Sequence, residues 1–471
     1  MEETLIDIAS PALYSVGRRD FVAGLGAGTV VTTFLGGCAT VPSVNVPYAG
    51  VQRGMKWFKG NTHMHTLRSD GDAFPAEAAV LFRREGYNFV CFSDHNITSA
   101  ELFKPIPADS PKGKKFIQAL PTSFESEFPG IQLYRKITDE KGRECYTSPS
   151  FEEIAGMVNE PGKFLVIGGN EVSAAPTAGK ELHCNFLNYS LPCRTVNKRT
   201  VEECLDWIRG EYGRVAAKSR MSVMTLNHPL WVSYDVSPLI VANRPDIKFF
   251  EVCNSGSMPR FELPGKEFTH DKWWDVVNTI RVANGQPLIY GLASDDIHNY
   301  NPMRRKVKRT AGYVQVLAKE LTVPDVMEAF HRGDFYASTG LDLESVKFAP
   351  STRTLSVSVD PSFGDDCLIS FIGSKRGVDV SVQEIVEWEI KAELNSWLAK
   401  VRHFSRKRTV ERFSKDIGCV FKSVKGRTAS YTMQPDDLYV RAKVVSPSGA
   451  DTANREPNFR VAWTQPVSFR V

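Results

Sequence analysis

Cysteine is scarce. The chain has nine in 471 residues and no Cys-x-x-Cys pair, which excludes a disulfide-stapled scaffold. A charge excess of one sign is also lacking. With 58 basic and 54 acidic residues the net charge is +4, too weak and too dispersed to argue for nucleic acid. No long hydrophobic run is present either: the uncharged stretch 22–35 is too short and Gly-rich to span a bilayer, which takes roughly 20 apolar residues. With 42% hydrophobic and 24% charged residues the composition is globular, so wholesale disorder, collagen repeats, coiled coils and multi-span membrane proteins are excluded. Cys91 and Cys253 lie inside apolar runs and read as buried. Cys38 is different.

Cys38 closes an N-terminal pattern. Arg18-Arg19-Asp20-Phe21 precedes the apolar stretch, and Leu35-Gly36-Gly37-Cys38 ends it. The paired arginines resemble a twin-arginine export signal, and the LGGC sequence resembles a lipoprotein box. The expectation is an exported, periplasmic or cell-envelope protein with residues 1–37 as signal, 38–54 as an aperiodic tether and a lipidated Cys38 as membrane anchor.

From Met55 short apolar runs recur, most of them closing on polar or ionisable residues: WFKGNTHMH, NFVCFSDHN, FLVIGGNEVS, LHCNFLNYS, MSVMTLNHP, KFFEVCNSG and PLIYGLASDDIH. Runs this short, rich in Val, Ile, Phe and Tyr, predict buried strands. Helical stretches separate several of them. The clearest is 75–87, with Pro75 placed for a first turn and Gly86 for a stop. Strand and helix alternate through 55–345, as in a parallel barrel or doubly wound sheet. Residues 101–162, with PIPADSPKGKK, EFPG and DEKGRE, read as an inserted surface loop with a little helix. Beyond 345 the pattern is all-β. Leu355, Val357 and Val359 alternate with serines, and Val440, Ala442 and Val444 alternate with Tyr439, Arg441 and Lys443, as in a small antiparallel sandwich over 346–471.

Histidine placement is the sharpest signal. Six of nine histidines stand at or near one end of a strand-like run, most beside Asp, Asn or another His. His63 and His65 are two apart, so in a strand both point to one side and can share a divalent cation. Asp70 follows in an Asp-Gly turn. Asp94 and His95 end the next run, Glu171 ends another, and His183, His228, Asp295, Asp296 and His298 complete the set. For any one of them a structural role is commoner. Six imidazoles and several carboxylates at one barrel mouth would strand too much buried polarity unless cations paired them. Asn185, Asn227, Asn254, Asn299 and Glu251 sit beside these residues and are candidates for orienting them. The basic run Arg304-Arg305-Lys306, with Lys308-Arg309, is near enough to hold phosphate. Trp273-Trp274 reads as helix packing, and His270, His331 and His403 read as non-ligands.

In its order (HxH and Asp70, then SDH, a lone Glu, HxN, NHP and DxH) this set resembles the polymerase and histidinol phosphatase (PHP) family of metallohydrolases, over about 55–345. The resemblance implies an α/β fold: a distorted (β/α)7 PHP-type barrel, here followed by the β-sandwich. It also implies two or three divalent metal ions (Zn, Mn or Fe). His63, His65, Glu171 and Asp296 would hold one, and Glu171, His183 and His228 a second, with Glu171 bridging. Asp70, His95 and His298 would hold a third, with Asp295 outside the ligand set. The AFHRGDFYASTG and AWTQP segments resemble exported members of the family; the 101–162 insertion departs from it.

Such cations outweigh the carboxylates, so an anionic ligand is favoured. The expected activity is a metal-dependent phosphoesterase that directs a metal-bound hydroxide at a small phosphate mono- or diester. The alternatives are a carboxylester or carbamate hydrolase on the same metals, and a metal-stabilised binding protein without turnover. Nothing in the sequence names a protein partner.

Overall fold

The computed structural model describes residues 46–469 except 52–53, 100–103, 119–123, 177–180, 194–195, 198–199, 217–220, 232–235, 256–268, 306–311, 396–399 and 448–459. The export pattern with Cys38, most of the tether, and Lys306, Lys308 and Arg309 lie outside the described residues.

The chain is a mixed α/β protein with several sheets. Lys56–Asn61, Phe89–Cys91 and Leu165–Ile167 are parallel neighbours, and Tyr313–Ala318 runs antiparallel on the other side of the first. In a second sheet Val223–Leu226, Phe249–Asn254 and Tyr290–Ser294 are parallel. Leu182–Leu187 lies antiparallel between Val223–Leu226 and Gly169–Ala175. The two sheets touch through two isolated bridges, Met64 with Ile297 and His95 with Glu171. The strands are not all parallel: the arrangement matches the expected α/β class as a mixed set of sheets, and no closed barrel is found among the described residues. Part of the reason is connection length. Only the six residues 176–181 join Gly169–Ala175 to Leu182–Leu187, too few for a parallel crossover of about a dozen. A hairpin results.

Between the two sheets the apolar residues Phe58, Phe89, Ile167, Leu187, Val223, Phe249, Leu292, Val314 and Phe335 form one buried cluster, with Phe330 and Met327 of the helix Val323–Arg332. On the far side of the second sheet the helix His270–Ala283 drives Trp273 and Trp274, both fully buried, into another. At about 25 cal/mol per Å² such aromatics dominate core energetics. The helix Pro75–Arg84 forms where predicted. Its first turn is closed by the Phe74 N–H donating to Glu77 Oε2 at 3.2 Å, and the chain leaves through Gly86 at φ +78.

The first sheet continues across position 345. Phe335–Ser338 pairs with both Tyr313–Ala318 and Arg460–Thr464, and the ladder goes on through Asp437–Ser446, Leu368–Lys375 and Cys419–Lys425. Leu343–Ala349, Thr354–Val359 and Thr428–Thr432 form a separate antiparallel sheet, and a shared core joins it to that ladder. Leu355, Val357 and Val359 are buried while Ser356 and Ser358 are part-exposed, as their alternation predicts. Asp437–Ser446 departs from alternation: Tyr439 and Arg441 are buried as well, because the helix His270–Ala283 covers that face.

The stretch 101–162 carries more structure than a loop. Ile106–Pro107, Glu144–Thr147 and Arg135–Thr138 make a three-stranded sheet, and Pro111–Gln118, Phe124–Glu127 and Phe151–Val158 are helices. Its polar DEKG sequence is a hairpin turn, with Asp139 Oδ1 accepting the N–H groups of Lys141 and Arg143 at 3.0 and 2.9 Å. Within the tether Tyr48 is buried, and its N–H donates to Asp334 at 2.8 Å.

Candidate metal centre

Strand ends build the site. His63 and His65 follow Lys56–Asn61, His95 follows Phe89–Cys91, and Asp296 and His298 follow Tyr290–Ser294. His228 follows Val223–Leu226, and Glu171 lies within Gly169–Ala175. His183 is at the start of its strand. Because that strand runs in the opposite sense, its first residues share the end where the others finish. The inversion that breaks the barrel pattern thus puts His183 at the site.

All nine expected residues converge. His63 Nε2 lies 3.1 Å from His65 Nε2, and 3.2 Å from both Glu171 Oε1 and Asp296 Oδ1. His65 Nε2 is 3.3 Å from Glu171 Oε2 and 3.1 Å from Asp296 Oδ1. His95 Nδ1 is 3.0 Å and His183 Nδ1 3.2 Å from the Glu171 carboxylate. Asp70 stands 3.4 Å from His65, 3.3 Å from His298 and 3.7 Å from His95. Three overlapping groups have donor atoms close enough to hold a cation: His63, His65 and Asp296; His95, Glu171 and His183; and His65, Asp70, His95 and His298. His228 lies outside them, 3.7 Å from Glu171 Oε1.

Neighbouring side chains hold these donors. Asn227 donates to Glu171 Oε1 at 2.7 Å and to Asn185 Oδ1 at 3.0 Å. Asp94 accepts from Thr66 and Ser69, main chain and hydroxyl alike, and so fixes the loop that carries Asp70. That role leaves no signal in sequence beyond Asp94 standing next to His95. Gly71 is needed because a Cβ there would come within 2.4 Å of the His65 carbonyl oxygen. Asn299 Oδ1 accepts the Asn301 N–H at 3.0 Å, ahead of the short helix Asn301–Arg304. Arg304 turns inward to Glu77 at 2.6 Å and to the Asp72 carbonyl at 2.9 Å, so packing occupies it and it is not a phosphate holder. The Asp72 N–H in turn donates to the His298 carbonyl. His331 bonds the Ser222 carbonyl and His270 is buried under its helix, both outside the cluster. The His403 side chain lies outside the described residues.

The electrostatics fit cations. Glu171, Glu251 and Asp296 are all buried, and among the described residues their ion-pair partners are imidazoles, with no Lys or Arg. Glu171 Oε2 receives no well-formed hydrogen bond. Buried carboxylates of this kind are paired or coordinate metal. Burial opposes charge on His63 and His65, but the carboxylates overcome it. Asp296, Glu171 and Glu251 raise His63 well above the usual imidazole range, and hydrogen bonds to Asp296 and Glu171 raise His65 to about 10. Burial likewise pushes Glu171, Asp296 and Glu251 up, and the imidazoles bring all three below the usual carboxylate range. The backbone is strained where it delivers ligands: His228 has φ +23 and Asp296 φ +51.

No family model and no curated protein matches the chain. It is similar to a solved two-domain protein from Bacteroides vulgatus that contains a predicted PHP-like metal-dependent phosphoesterase. That match has 15% identity, covers 86% of this chain and 95% of that one, and has a TM-score of 0.37. A structure from Bifidobacterium adolescentis of a predicted metal-dependent phosphoesterase matches at 14% identity, over 51% of this chain and 87% of its own, with a TM-score of 0.23. Likenesses this distant carry no argument about chemistry. The donor geometry does.

Proposed function

We propose that the chain is a metal-dependent hydrolase of the PHP type, acting on a small phosphate ester. The observation that carries this is the three overlapping donor groups of differing exposure. His63, His65 and Asp296 are buried, whereas the side chains of Asp70 and His298 are 55% and 39% exposed. A purely structural metal would be closed off by protein ligands on every side. A site open at Asp70 and His298 leaves room for substrate.

In this reading His63, His65 and Asp296 would hold one cation. Glu171, His183 and His95, with His228 behind Glu171, would hold a second, and Asp70, His298 and the near side of His95 a third. Bound divalent cations would acidify a water and neutralise charge on a phosphoryl group. The protein's own part is to hold each donor at one angle. Asn227 fixes Glu171, Asp94 fixes the Asp70 loop, and the Asp72–Arg304–Glu77 contacts fix the segment after His298. We also propose that the protein is exported and tethered through Cys38, on the pattern of residues 18–38.

The test is turnover of p-nitrophenyl phosphate, its bis-ester and p-nitrophenyl acetate by protein reconstituted with Mn²⁺ or Zn²⁺. Cleavage of a phosphate ester is expected. Cleavage of the acetate alone would assign the site to carboxylesters, and no cleavage of any would leave a metal-binding protein.

A further inference from the structure

Glu251 is a buried carboxylate at the site that, like Asp94 and Asp295, stands in none of the three donor groups. It is nevertheless in contact with three of the strand ends. Its Oε1 lies 2.8 Å from His63 Nδ1 and accepts from the Ser294 hydroxyl at 2.5 Å. Its Oε2 accepts the His228 N–H at 2.9 Å and the Asn254 amide at 2.8 Å, and that same amide reaches Asp296 Oδ2 at 3.1 Å.

We infer that Glu251 is a positioning residue: it selects the nitrogen with which His63 binds metal, and it ties together ligands from three strand ends. The inference rests on the metal-dependent reading above. A neutral imidazole has one N–H and one lone pair. An ionised carboxylate only accepts, so with Glu251 against Nδ1 the N–H sits on Nδ1 and the lone pair on Nε2. Nε2 is the atom that faces His65, Glu171 and Asp296. The remaining bonds of Glu251 have a second effect. The His228 N–H it accepts belongs to a residue at φ +23, a conformation that needs such support. Four donors on two oxygens occupy Glu251 with holding rather than ligation. Glutamine has nearly the same shape but carries an N–H₂ on one side, so it cannot accept from all four.

The experiment uses the full chain loaded with Zn²⁺ alone and read by long-range ¹H–¹⁵N spectra of its histidines. His63 is expected to be protonated at Nδ1 and metallated at Nε2. Zinc competition against a chelator should show Glu251→Gln weaker by ~10–100-fold, the usual cost of losing an outer-shell partner. The inference is overturned if His63 binds zinc through Nδ1, or if E251Q binds zinc as tightly as the parent. The wild-type spectrum decides the matter even if E251Q does not fold. A parent protein that takes up no zinc at all would instead overturn the metal reading, and this inference with it.

Discussion

At the scale of single residues, Glu171 is the hinge of the account, because His63, His65, His95 and His183 all lie within 3.3 Å of its carboxylate. Glu171→Gln should remove at least one equivalent of metal and lower turnover by ~100-fold or more, because a direct ligand costs at least as much as an outer-shell partner. Unchanged metal content and rate would take Glu171 out of the site. His270 offers a test of folding instead. Burial lowers its pKa to about 4, below the ~6.5 of an unfolded imidazole. The folded state therefore resists the proton that the unfolded chain accepts. Stability is full above about pH 6.5 and drains as pH falls towards 4, by up to roughly 3 kcal/mol. His270→Gln should flatten the dependence of unfolding free energy on pH between 7 and 4.5; parallel curves for the two proteins would contradict this. The metal-site histidines were legible because each lies at or near the end of an apolar run. The jobs of Asn227, Asp94 and Glu251 were not, since a hydrogen-bond partner 25 to 188 positions away leaves no local pattern.

At the scale of elements, the helix 75–84, the histidine-bearing strand ends and the alternation of Thr354–Val359 follow from periodicity. The direction of Leu182–Leu187 does not. Its composition is that of any buried strand, and only the short 176–181 connection signals the reversal. The burial of Tyr439 and Arg441 on Asp437–Ser446 has a similar cause, namely a helix more than 150 positions earlier lying on its second face. That contact centres on Arg441, fully buried, which donates to Asp275 at 2.9 and 2.7 Å and lies 2.8 Å from Asp271. Burial disfavours its charge, but the two aspartates outweigh it and raise the guanidinium pKa. Arg441→Met leaves these carboxylates with too little positive charge, and removing one partner of a buried pair costs about 3–5 kcal/mol. Denaturant unfolding should show a loss of that size. A loss below about 1 kcal/mol would mean that Met packs there as well as the ion pairs do.

At the scale of the whole molecule, Leu368–Lys375, Cys419–Lys425, Asp437–Ser446 and Arg460–Thr464 share one nine-stranded sheet with Lys56–Asn61, the strand that leads into His63 and His65. Composition alone marks the change near 345 but not this continuity, because ladder bonds between distant strands leave the sequence pattern untouched. The N-terminal address is tested in cells. Cys38→Ser should move the protein from the membrane fraction to the soluble one, and persistence in the membrane would place the anchor elsewhere.

The central claim is that the clustered imidazoles and carboxylates are there to hold cations. Elemental analysis of the protein purified without added chelator tests it most directly. The account predicts at least two equivalents of Zn, Mn or Fe per chain, with Glu171→Gln retaining fewer. A parent protein that hydrolyses phosphate esters at full rate while containing no divalent metal would contradict it.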